Sequence, residues 1–292
     1  EARRKLFKAR ERRVHPGRDE KVLTSWNGLM LAAFAEAGCA LEDERYVQAA
    51  VDNATFLLTH VRQENGRLYH TWKEGQAKID GYLEDYAYLI DGLLALYQVR
   101  FESRWYEAAR ELADIVIEHF AAEVGFYDTS DDGETLITRP RELQDNATPS
   151  GNAMAVWDLL RLGGLSVNEK DRERARAMLR HMQPVVVEHP LAFGKWLTAL
   201  DYAASRTYEI AIVGDRAAAE AQALTAACQS TYRPHQVMAV SPPGEAPVPI
   251  LSGRGQVDGR PTAHVCVSFG ARKLCLPPIT DPAELLPVLD KR

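Results

Sequence analysis

The chain has 292 residues, of which 46% are hydrophobic and 26% charged, and its formal net charge at pH 7 is -6. This composition is ordinary for a globular protein and allows one large domain or two small ones. The acidic balance argues against a nucleic-acid-binding protein, which would carry a basic face, and no apolar run approaches the ~18 residues that span a membrane. We therefore expect neither nucleic acid nor a membrane as a partner.

The predicted elements of the first third are mostly helices. Residues 1–13 form an amphipathic helix, and the run from about Ser25 to Ala40 is apolar on most faces, which is typical of a helix packed inside others. Asp43 is placed to cap the next helix, residues 44–62, whose apolar positions recur at helical spacing. A short alternating stretch, residues 67–72, follows.

The same pattern then repeats along the chain. Residues 82–101 form a second apolar helix, and Ser103 is placed to cap an amphipathic helix over 104–120. Ala49-Ala50 and Ala108-Ala109 lie 59 residues apart, as do Gly66 and Gly125. A third copy begins at residue 150, pairs with a charged helix over 169–182, and is followed by a helix over roughly 188–204. Each copy is therefore a buried helix, an amphipathic helix and a turn.

Repeated helical hairpins build either an open solenoid or a closed toroid, and buried inner helices favour the toroid. The last part of the chain differs, with predicted strands at 208–215, 236–241 and 262–269 and a helix over 216–230. The fold class predicted is mainly α: a partial α/α toroid over residues 1–205, with a small C-terminal α/β subunit of βαβ type over residues 206–292.

Four cysteines are scattered through the sequence without a CxxC motif or paired zinc spacing. We therefore predict no metal site and no cofactor, and a protein kept reduced in the cytoplasm. Cys266 and Cys275 are nine residues apart and close enough in sequence to meet.

Polar and aromatic residues cluster at the start of each predicted inner helix. Because the inner helices of such repeats direct their N-termini to one mouth, these clusters are expected to share a cavity. They supply candidate binding and catalytic residues, which are Asp19, Lys21, Trp26, Asn27, Tyr82, Glu84, Asp85, Asp145, Ser150 and Asn152.

This mixture suits a sugar, with Trp26 and Tyr82 stacking on a ring and Asn27 and Asn152 binding hydroxyls. Asp85 or Asp19 would act as acid or base. Glu84 and Asp85 are adjacent and so point about 100° apart on a helix, which favours pairing Asp85 with a carboxylate of another repeat, Asp19 or Asp145.

His70, in the turn of the first repeat, is a candidate proton shuttle because its ordinary pKa lies near neutrality, and its counterpart in the second repeat is Asp128. Purely structural roles remain open for the same clusters. Thr24 or Ser25 can cap the first inner helix with Asn27 satisfying its first-turn N–H groups, and Ser150 can cap the third. Acidic Glu84 and Asp85 would complement the helix dipole.

Three motifs resemble those of a known family. They are "DEKVLTSWNGLM", "DGYLEDYAYLIDGLLALY" and "DNATPSGNAMAVWDLLRL", and the tail beginning "EIAIVGD" fits as well. In this order they resemble the C-terminal part of the thioredoxin-domain-containing family related to spermatogenesis-associated protein 20. The resemblance implies an α/α toroid of the six-hairpin glycosidase type, akin to N-acylglucosamine 2-epimerases, preceded in the family by a thioredoxin-like domain and by further hairpins.

Two functions follow as hypotheses from the residues and the resemblance. The first is a carbohydrate-binding or carbohydrate-active domain, similar to a sugar epimerase or a glycosidase, with the candidate residues around its cavity. The second is a non-catalytic domain that partners the thioredoxin-like module of a longer parent chain or a client protein. In that case the polar clusters would be caps and buried networks.

Overall fold

The computed structural model describes residues 1–134, 137–270 and 272–290. Its first part consists of helical hairpins with a small antiparallel sheet. The elements are α1 (Ala2–Arg10), β1 (Val22–Leu23), α2 (Thr24–Ala40), α3 (Glu44–Phe56), β2 (Tyr69–Lys73), β3 (Gln76–Asp80), α4 (Leu83–Arg100), α5 (Ser103–His119), α6 (Gly151–Leu165), α7 (Glu169–Glu188) and α8 (Gly194–Ala204).

The inner helices α2, α4, α6 and α8 pack side by side in chain order, and α3, α5 and α7 each cover the hairpin partner that precedes them. This is the arrangement of a partial α/α toroid, and the predicted fold class is confirmed. The inner helix α4 is deeply buried, with Tyr86, Leu89, Leu93 and Tyr97 almost inaccessible to solvent. The amphipathic helix α5 turns Trp105 and Leu112 toward it.

Two glycines allow α2 and α4 to approach closely. A Cβ built on Gly28 would lie 2.5 Å from the carbonyl carbon of Tyr88, and one on Gly92 would lie 2.8 Å from the carbonyl oxygen of Gly28. Neither position has room for a side chain. A glycine is needed at position 28 of α2 because the α4 backbone lies directly against it.

The C-terminal part forms an α/β unit, with β4 (Thr207–Val213), α9 (Ala219–Gln229), β5 (Gln236–Ser241), β6 (Thr262–Phe269), β7 (Arg272–Cys275) and α10 (Pro282–Leu289). Strands β4 and β5 are parallel and joined through α9, as the predicted βαβ unit requires, while β6 and β7 add antiparallel pairs in the order β5-β4-β6-β7. The division of the chain into domains at residues 205 and 206 stays a prediction, and residues 271, 291 and 292 of the proposed subunit lie outside the described ranges.

The C-terminal unit docks on the ends of the inner helices. The Gln98 side chain of α4 donates to the Met238 carbonyl (2.7 Å) and accepts from the Met238 N–H (2.8 Å) on β5. Arg172 of α7 donates to the buried carboxylate of Glu209 on β4 (2.7 Å). These polar contacts hold the C-terminal sheet against α4 and α7, away from the N-termini of the inner helices.

Several expected helix ends are wrong in detail. The predicted caps at Ser103 and at Thr24 or Ser25 make no capping hydrogen bond, because these residues already lie inside α5 and α2 and the preceding residues occupy the N-cap positions. Asp43 and Ser150 do cap their helices, by accepting from Arg45 N (3.0 Å) and Ala153 N (3.2 Å).

The other differences concern where helices stop. The helix from Glu44 is α-helical to Phe56 and ends in a π-helical turn, Leu57–Val61. Helix α7 continues through Pro184 to Glu188 instead of ending at residue 182, and the next α-helix begins only at Gly194. None of the helices in the described part of the chain is long and apolar enough to cross a membrane.

Candidate functional site

Asp85 joins three elements at the mouth formed by the inner-helix N-termini. Its carboxylate accepts from the backbone N–H groups of Ser25 at the start of α2 (2.9 Å) and of Tyr82 just before α4 (2.8 Å). It also contacts the His70 imidazole on β2, at 2.9 Å from Nδ1. The side chain is fully buried. One carboxylate therefore satisfies two helix-end donors and orients a histidine.

The Nδ1 nitrogen of the His70 ring faces the buried carboxylate of Asp85. Its Nδ1–H donates to Asp85, so in the neutral ring Nε2 carries the lone pair, and Nε2 has no hydrogen-bond partner among the described residues. The Tyr82 ring meets the imidazole edge-on at 5.0 Å between centroids. The hydrogen bond to Asp85 raises the pKa of His70, while burial opposes part of the rise. This geometry prepares Nε2 to take up a proton.

Glu84 lies beside this pair and is half-buried. Burial raises the pKa of its carboxyl group, and the negative charge of Asp85 raises it further. Ligand atoms of His70, Glu84 and Asp85 all lie within 4.8 Å of one another. A carboxyl group that tends to hold its proton therefore stands next to a base that tends to accept one, which is the arrangement used in general acid–base chemistry.

Glu84 also lines a cleft of about 260 Å³ between the N-termini of α4 and α6. Most of the lining residues have polar side chains, which supply carboxylates, amides and hydroxyl groups beside one aromatic ring, while apolar atoms make up the larger part of the exposed wall. The lining residues are Tyr82, Glu84, Asp128, Glu142, Gln144, Asn146, Thr148, Pro149, Ser150 and Gly151. Pockets for drug-sized ligands measure about 300–1,000 Å³, so this cleft suits a smaller ligand.

Asp19 and Lys21 pair with each other instead of joining the cluster. Lys21 Nζ lies 2.8 Å from Asp19, and Lys73 Nζ lies 3.8 Å from it. The hydrogen bond from Lys21 lowers the pKa of Asp19, so this exposed carboxyl group stays ionised and is poorly suited to act as an acid. Trp26 is 63% exposed on the first turn of α2.

Asp145, Ser150 and Asn152 form a hydrogen-bonded network at the start of α6. Asp145 accepts from the N–H groups of Ser150 (2.8 Å) and Lys195 (2.7 Å). The fully buried Asn152 side chain accepts from Phe126 N (2.9 Å) and donates to Phe126 O (3.0 Å). These bonds tie a long loop to the helix and occupy the polar atoms that a ligand would use.

Asn27 is also committed to its own helix. Its side-chain amide donates to the Leu23 carbonyl (2.8 Å), and its backbone carbonyl accepts from the Asn53 side chain (3.2 Å). The expectation that the Asn27 side chain accepts from first-turn N–H groups is therefore wrong: the amide donates instead. The first-turn N–H of Ser25 is satisfied by Asp85, a residue of the neighbouring inner helix.

Sequence reasoning missed most of the cleft lining. Asp128 was recognised only as the repeat counterpart of His70, and its pKa is raised by burial while it accepts from Glu142 N (2.7 Å). Gln144 and Thr148 lie on a loop without periodicity, so no pattern distinguished them from other polar loop residues. The repeat and the polar cluster before the third inner helix were the signals that pointed to this wall.

A second polar cluster lies deeper, between α4, α6 and α8. Arg161 and the Trp157 indole N–H both donate to Asp91, at 2.7 and 2.9 Å, and the Lys195 ammonium lies 4.5 Å from the Trp157 ring centre. Asp158 is buried beside them, and neither of its oxygens has a hydrogen-bond partner among the described residues. Burial raises the pKa of Asp158 well above its ordinary value.

Two groups in the described part of the chain bring three metal-type ligands together: His70 with Glu84 and Asp85, and His119 with Asp131 and Asp132. In the first group both Asp85 oxygens already accept hydrogen bonds, which suits proton transfer better than metal coordination. In the second, both aspartates are exposed and Asp132 is paired with Arg67. The absence of a metal site stays a prediction.

The fold and the site thus define a helical-hairpin domain whose mouth carries a buried aspartate paired with a partly buried histidine, and an adjacent carboxyl group. No family model matches the sequence. The chain belongs to the family of spermatogenesis-associated protein 20: it is 32% identical to the protein of Homo sapiens over 302 aligned positions, which cover 98% of this chain, and 33% identical to that of Rattus norvegicus. The family resemblance noted in the sequence is confirmed. The chain spans 38% of the length of these curated relatives.

Solved structures of two sugar-processing enzymes are similar in fold. A cellobiose 2-epimerase from Bacillus thermoamylovorans B4167 has 16% identity and a TM-score of 0.48, covering 57% of this chain and 45% of that one. An unsaturated glucuronyl hydrolase from Bacillus sp. GL1 has 14% identity and a TM-score of 0.45, covering 59% and 49%.

Proposed function

We propose that this domain binds a carbohydrate in the cleft beside Glu84 and moves protons on it. The observation that carries the proposal is the His70–Asp85 pair, placed within reach of a carboxyl group whose pKa is raised. A carboxylate that orients a histidine and stabilises its protonated form is a recurring device for general-base catalysis. The carboxylates and amides that line the cleft supply groups that recognise hydroxyls.

In this proposal His70 Nε2 takes a proton from a carbon or hydroxyl of the sugar. Asp85 stabilises the imidazolium that forms, through the hydrogen bond at Nδ1. Glu84 gives a proton to the sugar oxygen on which negative charge or a leaving group develops. The Tyr82 ring, which is 38% exposed, offers an apolar face to the sugar ring. Asp85 is then a positioning residue, Glu84 contacts the substrate as part of the cleft wall, and His70, which is not part of that wall, acts on a substrate that extends beyond it.

Binding and chemistry are tested on the same chain. Thermal unfolding is followed with a panel of mono- and disaccharides, where a sugar at 100 times its Kd should stabilise the fold by about 2.7 kcal/mol. Each binding sugar is then incubated with the chain in D₂O, and NMR is used to detect deuterium at carbon, an epimer or a released reducing end.

His70→Gln should abolish turnover while keeping most of the thermal shift, because the base is lost and the cleft walls stay. Tyr82→Ala should reduce the shift. His189→Gln is the matched control, since His189 is an exposed histidine on the turn before α8 and its replacement should leave binding and turnover unchanged. Turnover that survives in His70→Gln would refute the catalytic role.

The alternative of a non-catalytic interaction domain is favoured by one feature of α2. Trp26 and Met30, one turn apart, are 63% and 50% exposed, which is unusual for large apolar side chains on an inner helix. If no sugar shifts the unfolding temperature, this surface becomes the candidate contact for a thioredoxin-like module or client protein. Trp26→Ala would then weaken that association without changing stability.

A further inference from the structure

Cys266 and Cys275 stand opposite each other on β6 and β7 and are joined by a disulfide bond. The expectation of a reduced protein did not foresee this bond, although the two residues were close enough in sequence to meet. The two halves of the bond differ in access. Cys266 is fully buried, while Cys275 is exposed on β7, the last strand of the sheet in the described part of the chain. An external thiol therefore reaches Cys275 first.

A guanidinium group contacts the buried sulfur. Arg254 Nη2 lies 3.2 Å from Cys266 Sγ, and its Nε donates to the Ile250 carbonyl (2.8 Å), which fixes the side chain in place. A nearby cation stabilises a thiolate and lowers the pKa of the thiol. Burial lowers the pKa of Arg254, so this cation gains from a negative partner.

The nearest carboxylate in the sheet does not cancel this effect. Glu209 on β4 stands opposite Cys266 in the register, but it is already bonded to Arg172 (2.7 Å) and to Lys273 (2.5 Å). Two cations of its own therefore compensate most of its charge, and its remaining effect on Arg254 favours the charged guanidinium. That guanidinium contacts the sulfur directly, at 3.2 Å.

We propose that the Cys266–Cys275 bond is a site of thiol–disulfide exchange with a dithiol. A thiolate of the dithiol attacks Cys275 Sγ, and the Sγ–Sγ bond breaks with its electron pair on Cys266, which leaves as a thiolate beside Arg254. The second thiolate of the dithiol attacks its own partner sulfur and releases Cys275. Two electrons thus pass to the protein, the dithiol becomes a cyclic disulfide, and its two protons end on the cysteines.

The direction of attack is tested on the unmodified full chain. Glutathione, a monothiol, is added to the oxidised protein, and N-ethylmaleimide is added seconds later to trap the freed thiol. Peptide mass mapping should find glutathione on Cys275 and the maleimide on Cys266. The reverse distribution, equal labelling, or reduction only after unfolding in urea would each overturn the proposal.

The role of Arg254 is tested by the rate of reduction with dithiothreitol. Arg254→Gln should slow reduction about threefold to tenfold, because a thiol of higher pKa is a poorer leaving group. Arg254→Lys should restore most of the rate. Arg260→Gln is the matched control, since Arg260 is exposed and its replacement removes the same charge from the same unit. Equal rates for Arg254→Gln and Arg260→Gln, with both variants folded by circular dichroism, would exclude a role for Arg254.

Discussion

Asp85 determines the protonation of His70, and this can be measured directly. The hydrogen bond from Nδ1 to Asp85 raises the pKa of His70. In Asp85→Asn the neutral amide no longer stabilises the imidazolium, so the pKa of His70 should fall toward or below its ordinary value of about 6.5. Titration of the His70 ring protons by NMR measures the change.

The sign of the matching stability effect follows from the same shift. Because the folded state holds the His70 proton more tightly than the unfolded state, the contribution of this proton to stability is complete below about pH 6.5 and is lost as the pH rises through the folded pKa. Asp52→Asn is the control, since Asp52 is exposed on α3 and its removal should leave the His70 titration unchanged. An unshifted His70 pKa in Asp85→Asn would contradict the assignment.

For individual site residues, the sequence identified the candidate acids and bases but not which of them contact one another. His70, Glu84 and Asp85 were all candidates, yet the pairing expected for Asp85 was with Asp19 or Asp145. The structure gives it His70, because β2 runs antiparallel beside β1 at the mouth of α2 and carries the imidazole over the start of α4. Such a contact depends on strand register, which a stretch of five residues does not specify.

Gly28 sets the distance between the first two inner helices. A methyl group there would lie 2.5 Å from the Tyr88 carbonyl carbon, and the obstacle is backbone that cannot rotate away. Gly28→Ala should therefore push α2 from α4 and cost about 3 kcal/mol of unfolding free energy. It should also lengthen the Ser25–Asp85 bond, so the pKa of His70 should change in the same variant.

Urea denaturation measures the loss, and Gly194→Ala is the matched control. Gly194 begins α8, and a Cβ built on it would meet no atom within 4 Å, so alanine there should be neutral or slightly stabilising. If both variants had the same stability, the close approach of α2 and α4 would not limit the packing.

Helix periodicity predicted the inner and outer helices well, since α2 to α7 are long and either uniformly apolar or strongly amphipathic. It failed for short elements. Strand β1 has two residues and exposed β3 has no apolar alternation, so neither could be recognised. The predicted end of α7 at Met182 was wrong because buried Met182 and Val186 continue the apolar face across Pro184. Tertiary packing there outweighs the local preference.

On the scale of the whole molecule, the two parts of the chain are joined by paired polar groups as well as by apolar packing. The Glu209 carboxylate is 2% exposed and is bonded to Arg172 of α7, to Lys273 of β7 and to the Ser268 hydroxyl. Sequence patterns showed both parts but gave no sign of this contact, because a single glutamate within an apolar strand has no periodicity. The contact couples the stability of the sheet to that of the helices.

Removing Arg172 should show how much unfolding free energy depends on compensating the buried charge of Glu209. In Arg172→Met, Glu209 keeps only Lys273 as a counter-ion, and the unfolding free energy should fall by about 3 kcal/mol. Arg180→Met, at an exposed position of the same helix, should stay within about 0.5 kcal/mol of the unmodified chain. Adding Glu209→Gln to Arg172→Met should recover part of the loss, since a neutral amide needs no cation. Urea denaturation of the four proteins measures these differences. A double variant no more stable than Arg172→Met would mean that Arg172 acts through packing alone and that charge pairing does not join the two parts.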